Sequence, residues 1–427
     1  LQRIQFLVAR RLSFFYGWVV LACASCAAFA RQGPAVATLT IFVAPMTMEF
    51  GWSSTEMSGA VALGGILAAL TTPMLGPLVD KHGARAMLCS AVLITGVAAL
   101  LLSQTSSLLM FYLFFCVARM NFAGPFDLGI YGAVNSWFVR RRPIANSMVT
   151  AALMIGLTSM PLIAHFAMLS GDEGTVDWRA GWIAVGLTVL IVGFLPSFVL
   201  MARRPEDMGL RPDGDAAPLE GASAAGASEE PAFTRAEAMR SPAFWTLLAF
   251  TALAYPVQAG VSLHQAPHLL ERGLDPTIAA TVVSLFSAVT GVSGFLFGMF
   301  TRRLGVRLML SLAGLAMAAG CSLIIVVDSA ASAYLSVLVF GIGLGGLLTI
   351  PPLAWADYFG RRSFGAIRGV ALSVQVTAQA TGPMISAMLR DWTGDYVTSL
   401  QVFAGLSVAA MLVIWVARPP SQPSVVE

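Results

Sequence analysis

The sequence predicts an all-α membrane protein whose twelve transmembrane helices form two pseudo-symmetric six-helix bundles. Three observations predict it: a very low charge content, twelve apolar stretches of membrane-spanning length, and an internal repeat. Of the 427 residues, 57% are hydrophobic and only 11% charged. A soluble domain carries about 25% charged residues because its surface must face water, and a lipid-facing surface has no such need. Crossing a hydrocarbon core of about 30 Å takes roughly 20 apolar residues in a helix. Stretches of that kind occupy 16–43, 53–78, 84–103, 107–136, 143–170, 179–202, 242–270, 276–301, 306–327, 331–359, 365–389 and 395–418. They must be helical, because backbone groups in lipid are satisfied only within a helix or a closed barrel, and the alternation of a barrel is missing.

Before the first span, residues 1–15 carry Arg3, Arg10 and Arg11 among apolar residues. With no small-residue cleavage site following, an interfacial helix is expected there rather than a signal peptide. Among Lys and Arg, 20 of 25 fall on one side if both termini face the cytoplasm. Only Arg179, Arg272 and Arg390 lie in outer loops, and Arg31 and Arg119 lie inside spans. That asymmetry predicts cytoplasmic termini and an even span count.

The repeat appears at an offset near 222 residues. Pro45, Glu49 and Gly51 recur as Pro267, Glu271 and Gly273; Gly76, Gly83 and Arg85 recur as Gly298, Gly305 and Arg307. Pro161 recurs as Pro383, and Phe138, Arg140 and Arg141 recur at offset 221 as Phe359, Arg361 and Arg362. The expected domains are therefore 1–202, a cytoplasmic linker 203–240, and 241–427, the halves being related by an axis along the membrane normal. From Asp213 to Pro231 the linker is rich in Ala, Gly, Ser, Glu and Pro, and a flexible tether is expected.

Gly76-Pro-Leu-Val-Asp80-Lys81-His82-Gly83-Ala-Arg85, on the turn between spans 2 and 3, resembles the signature loop of the major facilitator superfamily. Phe15-Tyr16-Gly17-Trp18, Glu49-Phe50-Gly51-Trp52-Ser53, the linker opening Arg204 to Asp213 and Ala236 to Trp245 are similar to the bacterial branch related to monocarboxylate transporters and oxalate/formate antiporters. The resemblance implies a secondary active transporter in which spans 1, 4, 7 and 10 line a cavity. It also implies a cytoplasmic gate around Asp80, Arg85 and Arg140; Asp357 with Arg361 and Arg362, at the expected cytoplasmic mouth, is a second candidate gate group. Gly76 would let spans 2 and 11 approach closely, and Asp80 would accept hydrogen bonds from Arg140 and from a neighbouring helix N-terminus. Arg302 replaces that Asp in the second repeat, and span 8 lacks the branch's usual Asp and Arg.

An ionisable residue at bilayer depth is a functional hypothesis by default. Arg31 lies 13 residues past Trp18, roughly 20 Å along span 1, and Gly33-Pro34 beyond it predicts a kink. Arg119 lies near mid-depth in span 4. Two midplane cations favour a small organic anion held as a carboxylate. Asp127, two turns beyond Arg119, is its expected counter-charge and the foremost proton-coupling candidate, with His165 second. Tyr255, Gln258 and His264 in span 7, and Gln375 and Gln379 in span 11, are expected substrate contacts. Pro256 predicts a bend in span 7, Pro351-Pro352 a break in span 10, and His82 and His268 read as solvated helix ends. Gly341, Gly343, Gly345 and Gly346 predict close helix contact, and Trp355 packs or gates.

The predicted function is secondary active transport of a small organic anion by alternating access, coupled to protons or by exchange. The alternative is an efflux pump for neutral or amphipathic compounds, both Arg then being structural. No metal cluster, nucleophile motif or P-loop supports an enzyme, no cofactor is expected, and no basic domain supports nucleic-acid binding. The five Cys, Cys23-x-x-Cys26 included, are expected to pack. One Lys among 25 basic residues, with abundant Ala and Gly, points to a bacterial inner membrane, and a monomer is expected.

Overall fold

The computed structural model describes residues 5–6, 9, 11–169, 177–214 and 231–420. The interfacial segment and the linker centre, residues 215–230, therefore lie largely or wholly outside the described residues. Among them there is helix and no strand. Ten helical stretches among the described residues are long and apolar enough to cross a membrane. The remaining two spans deviate for visible reasons. The first is interrupted into α1 (Gly17–Ala30) and α2 (Val36–Phe50), and the eleventh, α15 (Phe364–Thr393), is diluted by Arg368, Gln375, Gln379 and Arg390.

The chain forms two compact units. One comprises Leu1–Ala145, Ile155–Ala232 and Gly360–Leu372, the other Asn146–Met154, Phe233–Phe359 and Ser373–Glu427.

In the first unit α3 (Ser54–His82) begins on a capping box, Ser53 accepting from the Glu56 N–H while the Glu56 carboxylate accepts from Ser53 N–H. α4 (Ala84–Leu102) follows. The fourth span is not one helix: α5 (Leu108–Ala123) stops at Gly124, and α6 (Pro125–Trp137) starts with Pro at its first position. Next comes α7 (Arg142–Met168), of which Asn146–Met154 belongs to the second unit. The sixth span is α8 (Trp178–Thr188), a π-helical turn Val189–Phe194, and α9 (Leu195–Val199). Small residues set the packing. A Cβ on Gly186 would meet the Leu100 side chain at 2.7 Å, and one on Gly129 would meet Leu88 at 3.0 Å. The sequence Phe15-Tyr16-Gly17-Trp18 is an aromatic clasp: Phe15 lies 5.8 Å from both Trp137 and Phe138, and Trp18 lies 5.2 Å from Phe138. Outward, Leu70, Met74 and Leu109 are 65%, 75% and 79% exposed, an apolar surface suited to lipid rather than water.

The linker does not start as a free tether. Asp213, at φ 60°, is buried and accepts from the backbone N–H of Val139 (3.0 Å), Arg140 (2.7 Å) and Arg141 (3.2 Å). These donors precede α7 and have no partner within it, so the carboxylate caps that helix from 72 residues away in sequence.

In the second unit, α10 (Arg235–Arg240) leads into α11 (Pro242–Glu271), followed by α12 (Pro276–Leu304), α13 (Val306–Ile325), α14 (Ala330–Phe359), α15 from Ser373 onward (its first turns, to Leu372, belong to the first unit) and α16 (Val397–Val416). The α14 glycines are close-contact positions: a Cβ on Gly343 would sit 2.6 Å from Ala313 O, and one on Gly346 would sit 2.7 Å from Phe297. Pro351-Pro352 does not break α14, correcting the expectation from sequence. Proline at 351 removes the donor for the Leu347 carbonyl, and the Tyr255 hydroxyl donates to that oxygen at 3.4 Å instead. α11 likewise continues through Pro256. Trp355 is packed, 5.4 Å from Phe244 and 5.9 Å from Phe359. His268, expected at a solvated end, is 2% exposed, because its Nε2 lies 3.1 Å from Ile324 O on α13. His82 is exposed.

Both units repeat one device. Arg85 at the start of α4 donates to Phe198 O (2.8 Å), and Arg307 at the start of α13 donates to Trp415 O. Each cation thus meets the carbonyl end of the last span of its half, where the helix dipole favours it.

Candidate functional site

The break in the first span supplies the first element of the site. α1 ends at Ala30, residues 31–34 form a turn, and Arg31 is 8% exposed. Its Nε donates to the Phe122 carbonyl at 2.8 Å. That acceptor is at hand because the fourth span is interrupted at Gly124, within the turn that would otherwise engage it. Arg31 Nη1 also lies 3.7 Å from Asp127 Oδ2.

Arg119 stands on the other arm of the interruption. Both guanidinium groups contact the Phe122 ring, Arg31 at 4.6 Å and Arg119 at 4.3 Å from its centroid. Nε and Nη1 of Arg119 are buried with no hydrogen-bond partner among the described residues. Its stem rests on Gly64, where a Cβ would come within 2.7 Å of Arg119 Cβ and 2.8 Å of Cγ.

Asp127 does not serve as the counter-charge of Arg119. It pairs with Arg31 and, at 3.3 Å, with Arg368 Nε from the start of α15. The break at Gly124 re-aims α6, so the spacing expected for one continuous helix no longer holds. The charge distribution groups Arg368 with the basic residues of an inner loop, yet it is 1% exposed and belongs to this buried cluster. Sequence reasoning missed it, together with Phe122. The available signal was the position of Arg368 inside the eleventh apolar stretch.

His165 on α7 is exposed, its ring 5.8 Å from that of Phe166. Among the expected gate residues, Asp80 accepts from the N–H of Gly365 and of Ala366, both at 2.8 Å, at the first turn of α15. Its carboxylate thus meets a neighbouring helix N-terminus, as expected. Gly76 makes the approach possible, since a Cβ there would lie 3.0 Å from Ala366 Cα. Arg361 Nη1 pairs with Glu206 at 2.6 Å and donates to Ser136 O at 3.1 Å. Asp357 lies near the end of α14.

The second unit holds a separate polar group. α11 and α15 cross where Gly382 meets the Pro256 backbone, a Cβ there lying 2.8 Å from Pro256 C. Beside that crossing, Gln379 Nε2 donates to Gln258 Oε1 at 3.0 Å. Gln375 is buried. His264 Nδ1 lies 3.2 Å from Gly260 O, with the ring 5.2 Å from Tyr396.

The family model described as Major Facilitator Superfamily matches residues 20–267 and 260–427, nearly the whole chain. The chain belongs to the Major Facilitator Superfamily. This facilitator is a transporter rather than an enzyme, and a multi-pass membrane protein. It is 23% identical over 408 residues to Monocarboxylate transporter 2 of Mesocricetus auratus, covering 89% of this chain and 79% of that one. It is 22% identical over 367 residues to an MFS-type transporter of Gibberella moniliformis, covering 85% and 82%. The facilitator also shares its fold with the proton:xylose symporter XylE, solved bound to 6-bromo-6-deoxy-D-glucose, at a TM-score of 0.75 and 16% identity over 94% of this chain and 96% of that one.

Proposed function

We propose that this facilitator moves a small organic anion, a carboxylate, across the membrane by alternating access, in symport with protons or by exchange. The observation that carries the reading is Arg119, whose Nε and Nη1 are enclosed and unpartnered among the described residues of a membrane-spanning bundle. A cation in that setting is costly without an anion. A planar guanidinium fork matches a carboxylate with two parallel hydrogen bonds. Arg31 adds positive potential across the Phe122 ring, while its own donors are fixed by Phe122 O and Asp127. The similarity to a protein named as a monocarboxylate transporter supports the same substrate class.

In this reading Tyr255, Gln258, His264, Gln375 and Gln379 orient the neutral part of the substrate. Asp127 exchanges partners between Arg31 and Arg368, and with His165 it is the place to seek proton coupling. Asp80, Arg85, Arg140, Asp357 and Arg361 form the gate. The Arg-rich loops and both termini face the cytoplasm, in keeping with the positive-inside distribution, and the protein works as a monomer in a bacterial inner membrane. The test is uptake of radiolabelled mono- and dicarboxylates into proteoliposomes, with and without a pH gradient. Arg119→Ala should lose uptake while inserting normally. Full uptake by that variant, or transport confined to neutral amphiphiles, makes the efflux reading the better one.

A further inference from the structure

A second polar site lies at the arginine-rich end of the first unit, where α3 passes into α4 and the sixth span ends. It is a cleft of about 560 Å³ whose polar lining is His82, Arg85, Arg203 and Asp207. Its remaining wall is apolar, formed by Ala86, Cys89 and Phe198. Phe198 is 41% exposed and stacks on Phe194 at 5.2 Å, and the neighbouring Leu195 is 55% exposed. The apolar wall therefore continues into the lipid-facing surface.

The two arginines are positioned and not neutralised. Arg85 Nη2 donates to Phe198 O and Arg203 Nη2 to Lys81 O, each at 2.8 Å. A guanidinium has five N–H donors, so most of each fork remains available. Neither is paired with a carboxylate among the described residues. The stem of Arg203 crosses Gly83, where a Cβ would lie 2.6 Å from its Cγ, and this glycine stands at φ 88°. The signature-loop glycine thus serves the turn and clears the path for Arg203.

We propose that this cleft seats the head group of a membrane phospholipid, its phosphodiester between Arg85 and Arg203. Asp207 accepts from a donor on the head group, a glycerol hydroxyl or an ammonium. One acyl chain runs along Ala86, Cys89 and Phe198. The two arginines and one aspartate leave one net positive charge, which a phosphodiester matches. A basic recess between helices at the membrane surface has the chemistry for such head groups, and the assignment is independent of the transported substrate.

The experiment uses the full chain purified in detergent and delipidated. Phosphatidylglycerol, phosphatidylethanolamine and phosphatidylcholine with the same acyl chains are titrated while thermal stability is followed, since a ligand of the folded state raises it. A parallel titration uses inorganic phosphate. The first two lipids, whose head groups donate to Asp207 as choline cannot, should stabilise at concentrations about fivefold below phosphatidylcholine, the factor one typical hydrogen bond contributes. Asp207→Ala should abolish the preference for phosphatidylethanolamine over phosphatidylcholine, and Ala86→Trp, which fills the cleft without changing charge, should abolish the preference for both lipids. Equal stabilisation by phosphatidylcholine overturns the site, and so does retention of the preference by both folded variants. Stabilisation by inorganic phosphate alone overturns the lipid assignment.

Discussion

Asp127→Asn keeps the shape of a 3% exposed side chain and removes a carboxylate that pairs with two buried cations. Arg368 Nε stands 3.3 Å away and Arg31 Nη1 3.7 Å away. With an effective dielectric constant near 20, each attraction is about 5 kcal/mol before desolvation is counted. Removing one member of a buried ion pair costs about 3–5 kcal/mol, because the partner is left charged in a poor solvent. At about 2.1 cal/mol/K of unfolding entropy per residue, 427 residues make each kcal/mol worth about 1 °C. The apparent Tm should therefore fall by roughly 3–5 °C in matched detergent. Scanning fluorimetry of Asp127→Asn, Arg368→Gln and the double variant measures this, and the double variant should lose clearly less than the two single losses together. An unchanged Tm in Asp127→Asn, or strict additivity with Arg368→Gln, would refute the cluster as the element holding α6 to the start of α15.

Other expectations follow from single contacts. Asp213→Ala strips three backbone N–H groups before α7 of their acceptor and should cost about 1.5–3 kcal/mol or more, seen as a lower Tm and faster proteolysis near residue 140. Gly64→Ala pushes on Arg119 at 2.7 Å and should raise KM for uptake several-fold with normal insertion; an unchanged KM argues against Arg119 as a substrate contact. Asp80→Ala removes the cap of α15 and should cost about 0.5–2 kcal/mol, with faster labelling of a single Cys placed at Ser363. Unaltered labelling would leave Asp80 a structural cap and no gate.

Local chemistry makes several features legible in the amino-acid order alone. Gly33-Pro34 marks the interruption beside Arg31, because proline acts on its own turn, and the α14 glycines announce close contacts because only a missing side chain permits them. The break at Gly124-Pro125 is written just as plainly, but apolar residues on both sides conceal it. Pro351-Pro352 misleads for the converse reason: a break is avoided where another group takes the released carbonyl, and Tyr255 lies 92 residues away in sequence. Arg368 and Asp127 are 241 residues apart, and no spacing rule joins them. His268 reads as solvated because it stands near a helix end, while the carbonyl that covers it belongs to α13. Composition and periodicity thus disclose the spans and the buried charges Arg31, Arg119 and Asp127 but not Arg368, whereas the pairing of those charges is a property of the folded units.

The central claim is that Arg119 is completed by the substrate. The most direct measurement is binding to the purified protein, by thermal shift across a panel of mono- and dicarboxylates, aromatic acids and neutral amphiphiles, for wild type and for Arg119→Gln. The account predicts stabilisation by one carboxylate class, lost in Arg119→Gln while that variant remains folded. Stabilisation by neutral amphiphiles alone, or carboxylate binding undiminished in Arg119→Gln, would contradict it.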